Sequence, residues 1–342
     1  MKSTTIAIDL AKSVFEVGIS HRPGHVSESH RLSREQIGAF MAKQPATTVI
    51  MEACSSGHYW GRTFQEFGHE VKLLPPLYVR PYVQRSKTDR ADVKGMLEAW
   101  RNSAMRAVPV KTESQQQLTS LHRVRSGWTV ARTMRINATR GLLREFGFIF
   151  PLGATGLPRR VQELIEDADT KLPMPLRELL HQLVLEIGEL EKRAKTVEKQ
   201  LGALAIQTPV VDLLRSIPGI GLLTSTALVG FVGDITRFPS GRHFASYLGL
   251  TPREYSSGSR RRLGRISKQG DAYLRTLLIH GARTILIRAK SSSKPDRFQA
   301  WGLELQNRCG HNKAAVAIAN KLARIVWAVW KSGKPFESVH RR

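Results

Sequence analysis

Apolar residues between positions 176 and 204 recur at alternating spacings of four and three. They are Leu176, Leu180, Leu183, Ile187, Leu190, Ala194, Val197, Leu201 and Leu204. A repeat that averages about 3.5 residues predicts a long helix with one apolar seam, the pattern of a coiled coil. A second, basic helix with its own seam is expected from about 113 to 146. Three arrangements satisfy the first seam: packing against this second helix, a dimer interface, or a plain helical-bundle linker.

This helical arm separates two regions of different character. Residues 1–110 alternate short apolar runs with helix-like segments, whereas residues 209–342 are mainly helix-like. The predicted fold class is therefore α/β plus α. It consists of an α/β domain at 1–110, a coiled-coil arm at 111–208 and a mainly helical domain at 209–342.

The balance of charge indicates a polyanionic partner. Lys and Arg number 53 against 28 Asp and Glu, which gives a formal net charge of +25. Such an excess favours nucleic acid as the partner.

A membrane partner is not expected, because no apolar run approaches the roughly 20 residues of a spanning helix. No signal peptide is visible, and the only two cysteines, Cys54 and Cys309, lie far apart, which favours a reducing cytoplasm and excludes a cysteine-rich zinc site.

The first region predicts a defined order of strands and helices. Strands are expected at 4–10, 13–20, 25–32, 47–51 and 71–74, with helices at about 33–43 and 56–67. Three strands followed by helix, strand, helix and strand is the order of a ribonuclease-H-like domain.

Four carboxylates fall at the ends of predicted strands or at the start of a helix. They are Asp9, Glu52, Asp89 and Asp92. Taken singly, each has an ordinary explanation, such as an ion pair or, for Asp89, a helix N-cap. Taken together, they predict one oxygen-ligand site for Mg²⁺ or Mn²⁺, with Glu98 as a reserve ligand.

A glycine-containing turn predicts a second way to contact phosphate. The segment Ser216-Ile217-Pro218-Gly219-Ile220-Gly221 lies between two helical patterns, like the turn of a helix-hairpin-helix. In that interpretation Gly219 and Gly221 let backbone N–H groups approach a phosphate at the start of the next helix. The alternative is a tight turn between helices with no ligand.

A loop between residues 249 and 268 combines serines with many cations. The cations are Arg253, Arg260, Arg261, Arg262, Arg265 and Lys268. Composition alone favours a flexible phosphate-binding loop, since guanidinium forks match phosphate oxygens. The other interpretation adds a serine nucleophile, Ser256 or Ser257, with the arginines offsetting charge on the phosphate. No base for such a serine is evident nearby.

The ordered set of motifs resembles the DEDD transposases of bacterial insertion sequences, in the IS-one-ten group, whose relatives include the Piv-type DNA invertases. The motifs are Ile8-Asp9-Leu10-Ala11-Lys12, Glu52-Ala53, Lys87-Thr88-Asp89-Arg90-Ala91-Asp92, Ser216-Ile217-Pro218-Gly219-Ile220-Gly221, Gly249-Leu250-Thr251-Pro252-Arg253 and Ser256-Ser257-Gly258-Ser259. The resemblance covers nearly the whole chain. It implies a RuvC-like N-terminal domain, a coiled-coil arm and a C-terminal transposase domain.

The resemblance also implies roles for particular residues. The metal ligands would be Asp9, Glu52, Asp89 and Asp92. Ser257 would be the nucleophile that links covalently to DNA, with Ser256 as the fallback. This family-based expectation replaces the simpler interpretation of the loop.

The partners implied by the resemblance are the DNA of element ends and target, and a structured noncoding (bridge) RNA that guides the recombination. A homo-oligomer, dimer or tetramer, would act at the nucleoid in a bacterial cytoplasm.

Two other classes of function stay open. One is a metal-dependent nuclease, such as a Holliday-junction resolvase, in which water attacks. The other is a nucleic-acid scaffold without catalysis.

Overall fold

The computed structural model describes residues 4–83, 88–151, 153 and 156–337. Lys87 of the acidic motif therefore lies outside the described residues. The chain divides into two compact units, Met1–Gln116 and Gln117–Arg342. In the described part of the chain, no helix is both long and apolar enough to span a membrane.

The first unit contains a mixed sheet of five strands in the order β3-β2-β1-β4-β5. The strands are β1 Thr5–Leu10, β2 Val14–Ser20, β3 Glu28–Ser33, β4 Thr48–Glu52 and β5 Glu70–Leu74. β1, β2 and β3 pair antiparallel, whereas β1, β4 and β5 pair parallel. The predicted order of strands and helices is confirmed, and it is compatible with a ribonuclease-H-like domain.

Both faces of this sheet are covered, which explains why its central strands read as continuous apolar runs. The helices are α1 Gln36–Ala42, α2 Gly57–Glu66, α3 Pro76–Val79 and α4 Asp89–Trp100, with a 3₁₀ turn at Arg80–Tyr82. Residues of α1 and α2 share one core with alternate residues of β1, β2 and β4. Residues of α4 form a second core with Ala7 and Ile50, which lie on the opposite face.

The second unit is mainly helical. Its elements, with the long helix that leads into it, are α5 Glu113–Glu145, α6 Leu157–Glu166, α7 Met174–Ile206, α8 Pro209–Arg215, α9 Leu222–Val232, α10 Gly241–Tyr247, β6 Pro252–Glu254, β7 Leu263–Ile266, α11 Ala272–Lys290, α12 Arg297–Cys309 and α13 His311–Ser332. One large apolar core contains residues of every helix from α7 through α13, together with a residue of α5. The helices expected at 113–146 and over the 176–204 seam are thus present.

The seam of α7 packs against α5 as an antiparallel hairpin within the chain. Three ion pairs fix the direction, because their α5 numbers rise as their α7 numbers fall. They are Arg125–Glu198 at 2.6 Å, Arg132–Glu191 at 3.2 Å and Arg135–Glu186 at 2.6 Å. Every seam position of α7 is buried or half-buried, while most other positions are exposed. Of the three arrangements, the structure shows packing within one chain.

A buried histidine connects three helices of the second unit. His122 of α5 is fully buried. Its Nδ1 lies 3.0 Å from the Tyr273 hydroxyl on α11, and its Nε2 lies 2.9 Å from the Thr226 hydroxyl on α9. A buried polar group is costly unless it is hydrogen-bonded. These two contacts give each ring nitrogen of His122 a hydrogen-bond partner and so avoid that cost.

Candidate active site

Asp9 and Glu52 lie side by side at the carboxyl ends of two parallel strands. Ile8 of β1 is opposite Met51 of β4, and Asp9 and Glu52 directly follow this last pair. Side chains alternate faces along a strand. Since Ala7 and Ile50 pack under α4, Asp9 and Glu52 face the α4 side as well. Both are half-buried.

Asp89 and Asp92 lie in the first turn of α4. The N-cap of that helix is Thr88, whose hydroxyl accepts a hydrogen bond from the Ala91 N–H at 3.2 Å. The alternative that Asp89 serves as the N-cap is therefore wrong. Asp89 is exposed and Asp92 is half-buried. The positive end of the helix dipole stabilises both negative charges at this position.

The direction of α4 brings its first turn to the Asp9 end of the sheet. Arg90 of the first turn pairs with Glu16, which is directly opposite Asp9 in the β1–β2 ladder. Further along α4, Val93 lies against Gly18 of β2. The fold of the first unit thus places all four predicted acids at one end and on one face of the sheet.

The four acids form an all-oxygen donor set, which suits Mg²⁺ or Mn²⁺ rather than zinc. Within the described ranges, however, no three Asp, Glu, His or Cys side chains are close enough to share a metal ion. The topology brings the acids to the same region without gathering them to ligand distance.

The prediction of Glu98 as a reserve metal ligand is wrong. Its carboxylate accepts a hydrogen bond from Arg101 at 2.9 Å and lies beside the backbone of Gly24. Gly24 follows the end of β2 at Ser20, and Ser20 is opposite Thr5 at the start of β1. Glu98 is therefore at the other end of the sheet from Asp9. It lies nearly two helical turns beyond Asp92, and α4 runs along the sheet over that distance.

One acid of this region was missed from the sequence. Glu16 is only 5% exposed, although it lies between the buried Phe15 and Val17 in β2. Its Oε1 accepts a hydrogen bond from the Ser29 hydroxyl at 2.8 Å and another from Arg90 Nε at 3.3 Å. An acid in the middle of an apolar strand was the available signal, since an ionised carboxylate is buried only with partners.

In the second unit, the serine loop forms an antiparallel hairpin, whereas composition alone favours a flexible loop. β6 pairs with β7, and Ser257 continues the ladder by exchanging both backbone hydrogen bonds with Arg260 at 3.2 Å. Gly258 and Ser259 form the two-residue turn at the tip. Gly258 has φ 56°, a conformation that favours glycine and that the turn requires.

The two adjacent serines lie on opposite faces of this hairpin. Ser257 shares its face with Arg253 and Tyr255, which precede it by four and two residues, and its cross-strand neighbours there are Arg260 and Arg262. That face carries three guanidinium groups and no carboxylate. Among the described residues, no side-chain hydrogen bond is formed by the Ser257 hydroxyl, which leaves it available to a ligand.

Ser256 lies on the other face and is engaged. Its hydroxyl donates a hydrogen bond to Glu254 Oε1 at 2.7 Å, and Arg261 Nε contacts the same oxygen at 3.3 Å. The hydrogen bond from Ser256, followed by the charge of Arg261, lowers the pKa of Glu254. Glu254 thus stays ionised, partly neutralises this face and disfavours the approach of a phosphate to Ser256.

All six predicted cations of this loop are exposed around the hairpin. They are Arg253, Arg260, Arg261, Arg262, Arg265 and Lys268. Arg253 Nη2 donates to the Ser267 carbonyl at 3.1 Å and so braces the base of the hairpin. Lys268 has φ 54°, and no other non-glycine residue in the described ranges has a positive φ. Such a conformation costs roughly 1 kcal/mol and persists only where the surroundings impose it.

The glycine-containing turn connects α8 to α9, as the helix-hairpin-helix interpretation requires. Gly219 has φ 83°, and a side chain there would meet the Gly281 carbonyl oxygen of α11. This glycine is therefore needed for helix packing whether or not it contacts phosphate. Gly221 is exposed with open space beside it and is the N-cap residue of α9.

Comparison with protein families gives two matches along the chain. A family described as a DEDD-type transposase of IS110 matches residues 6–148, which include all four acids. The Transposase IS116/IS110/IS902 family matches residues 211–298, which include the glycine turn and the serine hairpin.

Individual relatives match over nearly the full length. A probable family 20 transposase of Pseudomonas aeruginosa is 42% identical over 96% of this chain and 97% of its own. The transposase for insertion sequence element IS1111A of Coxiella burnetii is 36% identical over 95% of this chain and 88% of its own. The pilin gene-inverting protein of Moraxella lacunata is 27% identical over 98% of both chains.

Proposed function

The chain belongs to the IS116/IS110/IS902 family of transposases, and from that premise we propose that it joins insertion-sequence DNA to a target by serine-mediated strand transfer. The observation that carries the proposal is the face of the hairpin that holds Ser257. Its hydroxyl, which forms no side-chain hydrogen bond within the described ranges, lies there among three arginines, and Glu254 lies on the opposite face.

The chemistry of this face suits attack on a phosphodiester. As the bond from Ser257 Oγ to phosphorus forms, the bond from phosphorus to the leaving sugar oxygen breaks. The hydroxyl proton is released, and the sugar oxygen takes up a proton. Negative charge builds on the non-bridging oxygens, and Arg260 and Arg262 offset it. The product is a phosphoserine link that preserves the energy of the phosphodiester for the second strand exchange.

The acidic residues of the first unit have a separate part in the same reaction. Asp9, Glu52, Asp89 and Asp92 would hold Mg²⁺ or Mn²⁺, which suits their all-oxygen donors and their common end of the sheet. When bound, such an ion would offset negative charge on the phosphodiester. We propose that these acids and Ser257 are needed together.

The partners follow from the charge and from the family. A net charge of +25 without a recognised base-reading motif suits contacts to phosphate rather than to bases. We propose that a structured noncoding RNA supplies the sequence recognition by pairing with element and target DNA. The protein would work as a dimer or tetramer.

Trapping of a covalent adduct tests the serine chemistry. Reactions with end-labelled element DNA, stopped in denaturant, should show labelled protein for the wild type and Ser256→Ala and none for Ser257→Ala. Ser256→Ala is the matched control, because it removes the neighbouring hydroxyl from the same hairpin. An adduct that survives Ser257→Ala but not Ser256→Ala would reverse the assignment. Strand transfer without any adduct would indicate the metal-dependent nuclease class, with water as the nucleophile.

A further inference from the structure

The C-terminal helix α13 presents all its cations on one side. Its 22 residues include no Asp or Glu. At about 3.6 residues per turn, its four cations fall within roughly 80° of arc. They are Lys313, Lys321, Arg324 and Lys331. The opposite side is apolar and packs into the core of the second unit, so the fold directs this row of charge outward.

The middle of this row is crowded with like charges and aromatic rings. Lys321 Nζ lies 4.3 Å from the centre of the Trp301 ring and 5.1 Å from that of Phe298 on α12. The two rings stack on each other at 5.9 Å. Burial first, and then the charges of Arg297 and Arg324, lower the pKa of Lys321. The lysine therefore lies near two other cations.

A groove adjoins these residues at the start of α10. It has a volume of about 560 Å³ and no acidic lining residue. Its lining residues include Ser240, Arg242, Lys321, Arg324 and Trp327. The Trp327 indole N–H donates to the Phe238 carbonyl at 3.0 Å, which fixes the ring at the groove wall. Within the described part of the chain, none of the three cations of the groove forms an ion pair.

Concentrated like charge without counter-charges is unfavourable in the isolated protein, and a polyanion relieves it by releasing condensed ions. Aromatic rings beside a cationic groove are the usual means of holding unpaired bases. We propose that the outer face of α13, with the α10 groove and the Phe298–Trp301 pair, is a nucleic-acid site separate from the serine hairpin. Its ligand is the phosphate backbone of a single-stranded segment. The inference rests on the proposed nucleic-acid function but not on the serine chemistry.

Charge removal at constant shape tests this site. The variant Lys321→Gln/Arg324→Gln should bind short single-stranded oligonucleotides of mixed sequence roughly ten-fold more weakly. The slope of log affinity against log salt concentration should become shallower by about 1.4, since each phosphate contact on a single strand contributes about 0.7. Fluorescence anisotropy over a salt series measures both quantities. Arg324→Gln alone changes an exposed position and keeps the test interpretable if the half-buried Lys321 contributes to stability.

The matched control is Lys192→Gln/Lys199→Gln on the exposed side of α7, which removes the same net charge. An equal loss in both pairs of variants, or an unchanged salt slope, would overturn the site. RNA and DNA oligonucleotides are measured separately, and a selective loss for either one, or a loss for both, identifies the strand that the site holds. Normal binding by the α13 variant with a normal Ser257 adduct would reject this site alone. A missing adduct with selectively weakened binding would reject only the serine chemistry.

Discussion

At the residue scale, Glu16 joins two parts of the acidic region that are distant in sequence. Its carboxylate is buried opposite Asp9, while its partner Arg90 is 81% exposed and lies between Asp89 and Asp92 in sequence. The ion pair therefore ties the first turn of α4 to β2. We infer that Glu16 positions the acids of α4 relative to Asp9.

Replacement of Glu16 by Gln is predicted to weaken divalent-ion binding several-fold. Gln keeps the shape and an acceptor for Ser29 but loses the ion pair, so the first turn of α4 is less restrained. The stability change should stay near 1 kcal/mol, because Arg90 remains solvated. Electron paramagnetic resonance of bound Mn²⁺, alongside thermal unfolding, measures both effects.

Two controls separate positioning from simple charge. Glu70→Gln removes an acid of β5 that pairs with Lys72 at 2.7 Å, and it should leave Mn²⁺ binding unchanged. Arg90→Gln should weaken binding as Glu16→Gln does, since both break the same restraint. If Arg90→Gln strengthened Mn²⁺ binding instead, the effect would be electrostatic and the positioning role would be rejected.

At the element scale, the order of strands and the two long helices were predictable from the sequence, because hydrophobic periodicity determines them locally. The serine hairpin was not, because β6 and β7 are short, exposed and rich in arginine, and give no alternating apolar signal. Glu16 was missed for a different reason: its partner Arg90 lies 74 residues away. Glu98 was misplaced because helical spacing gives a residue's face but not the direction in which the helix crosses the sheet.

The packing of α5, α9 and α11 around His122 gives a prediction for pH. Burial, and then the charge of Arg125, lower the pKa of His122 from 6.5 to about 4. The histidine is thus neutral in the folded state and takes up a proton on unfolding. Its stabilisation is full above pH 6.5 and is lost as the pH falls towards 4, by about 3 kcal/mol.

Unfolding by denaturant across that pH range measures this loss. In His122→Gln, whose side chain keeps hydrogen-bonding capacity but does not titrate, the free energy of unfolding should fall less steeply between pH 6.5 and 4. His280→Gln changes an exposed histidine of α11 and should keep the wild-type slope. Equal slopes for the wild type and His122→Gln would show that His122 does not govern the acid sensitivity.

At the scale of the whole molecule, the excess of positive charge predicts strong but unselective binding to any polyanion at low salt. Counterion release makes that binding fall steeply as salt rises. A guide RNA should behave differently, because a folded RNA is also held by shape and 2′-hydroxyl contacts that salt screens less. The salt concentration therefore separates bulk attraction from specific partnership.

Purification through a high-salt wash applies this distinction. The protein, expressed with its own insertion sequence, should retain RNA of one defined length, while DNA fragments and mixed cellular RNA are released. Expression without the noncoding region of the element is the matched control and should give protein free of that RNA. Retained RNA of heterogeneous length, or none at all, would contradict the guided mechanism. The transposase would then have to read its DNA sites through its own side chains, and the arginines of the serine hairpin and of α13 would be the first candidates for contacts to bases.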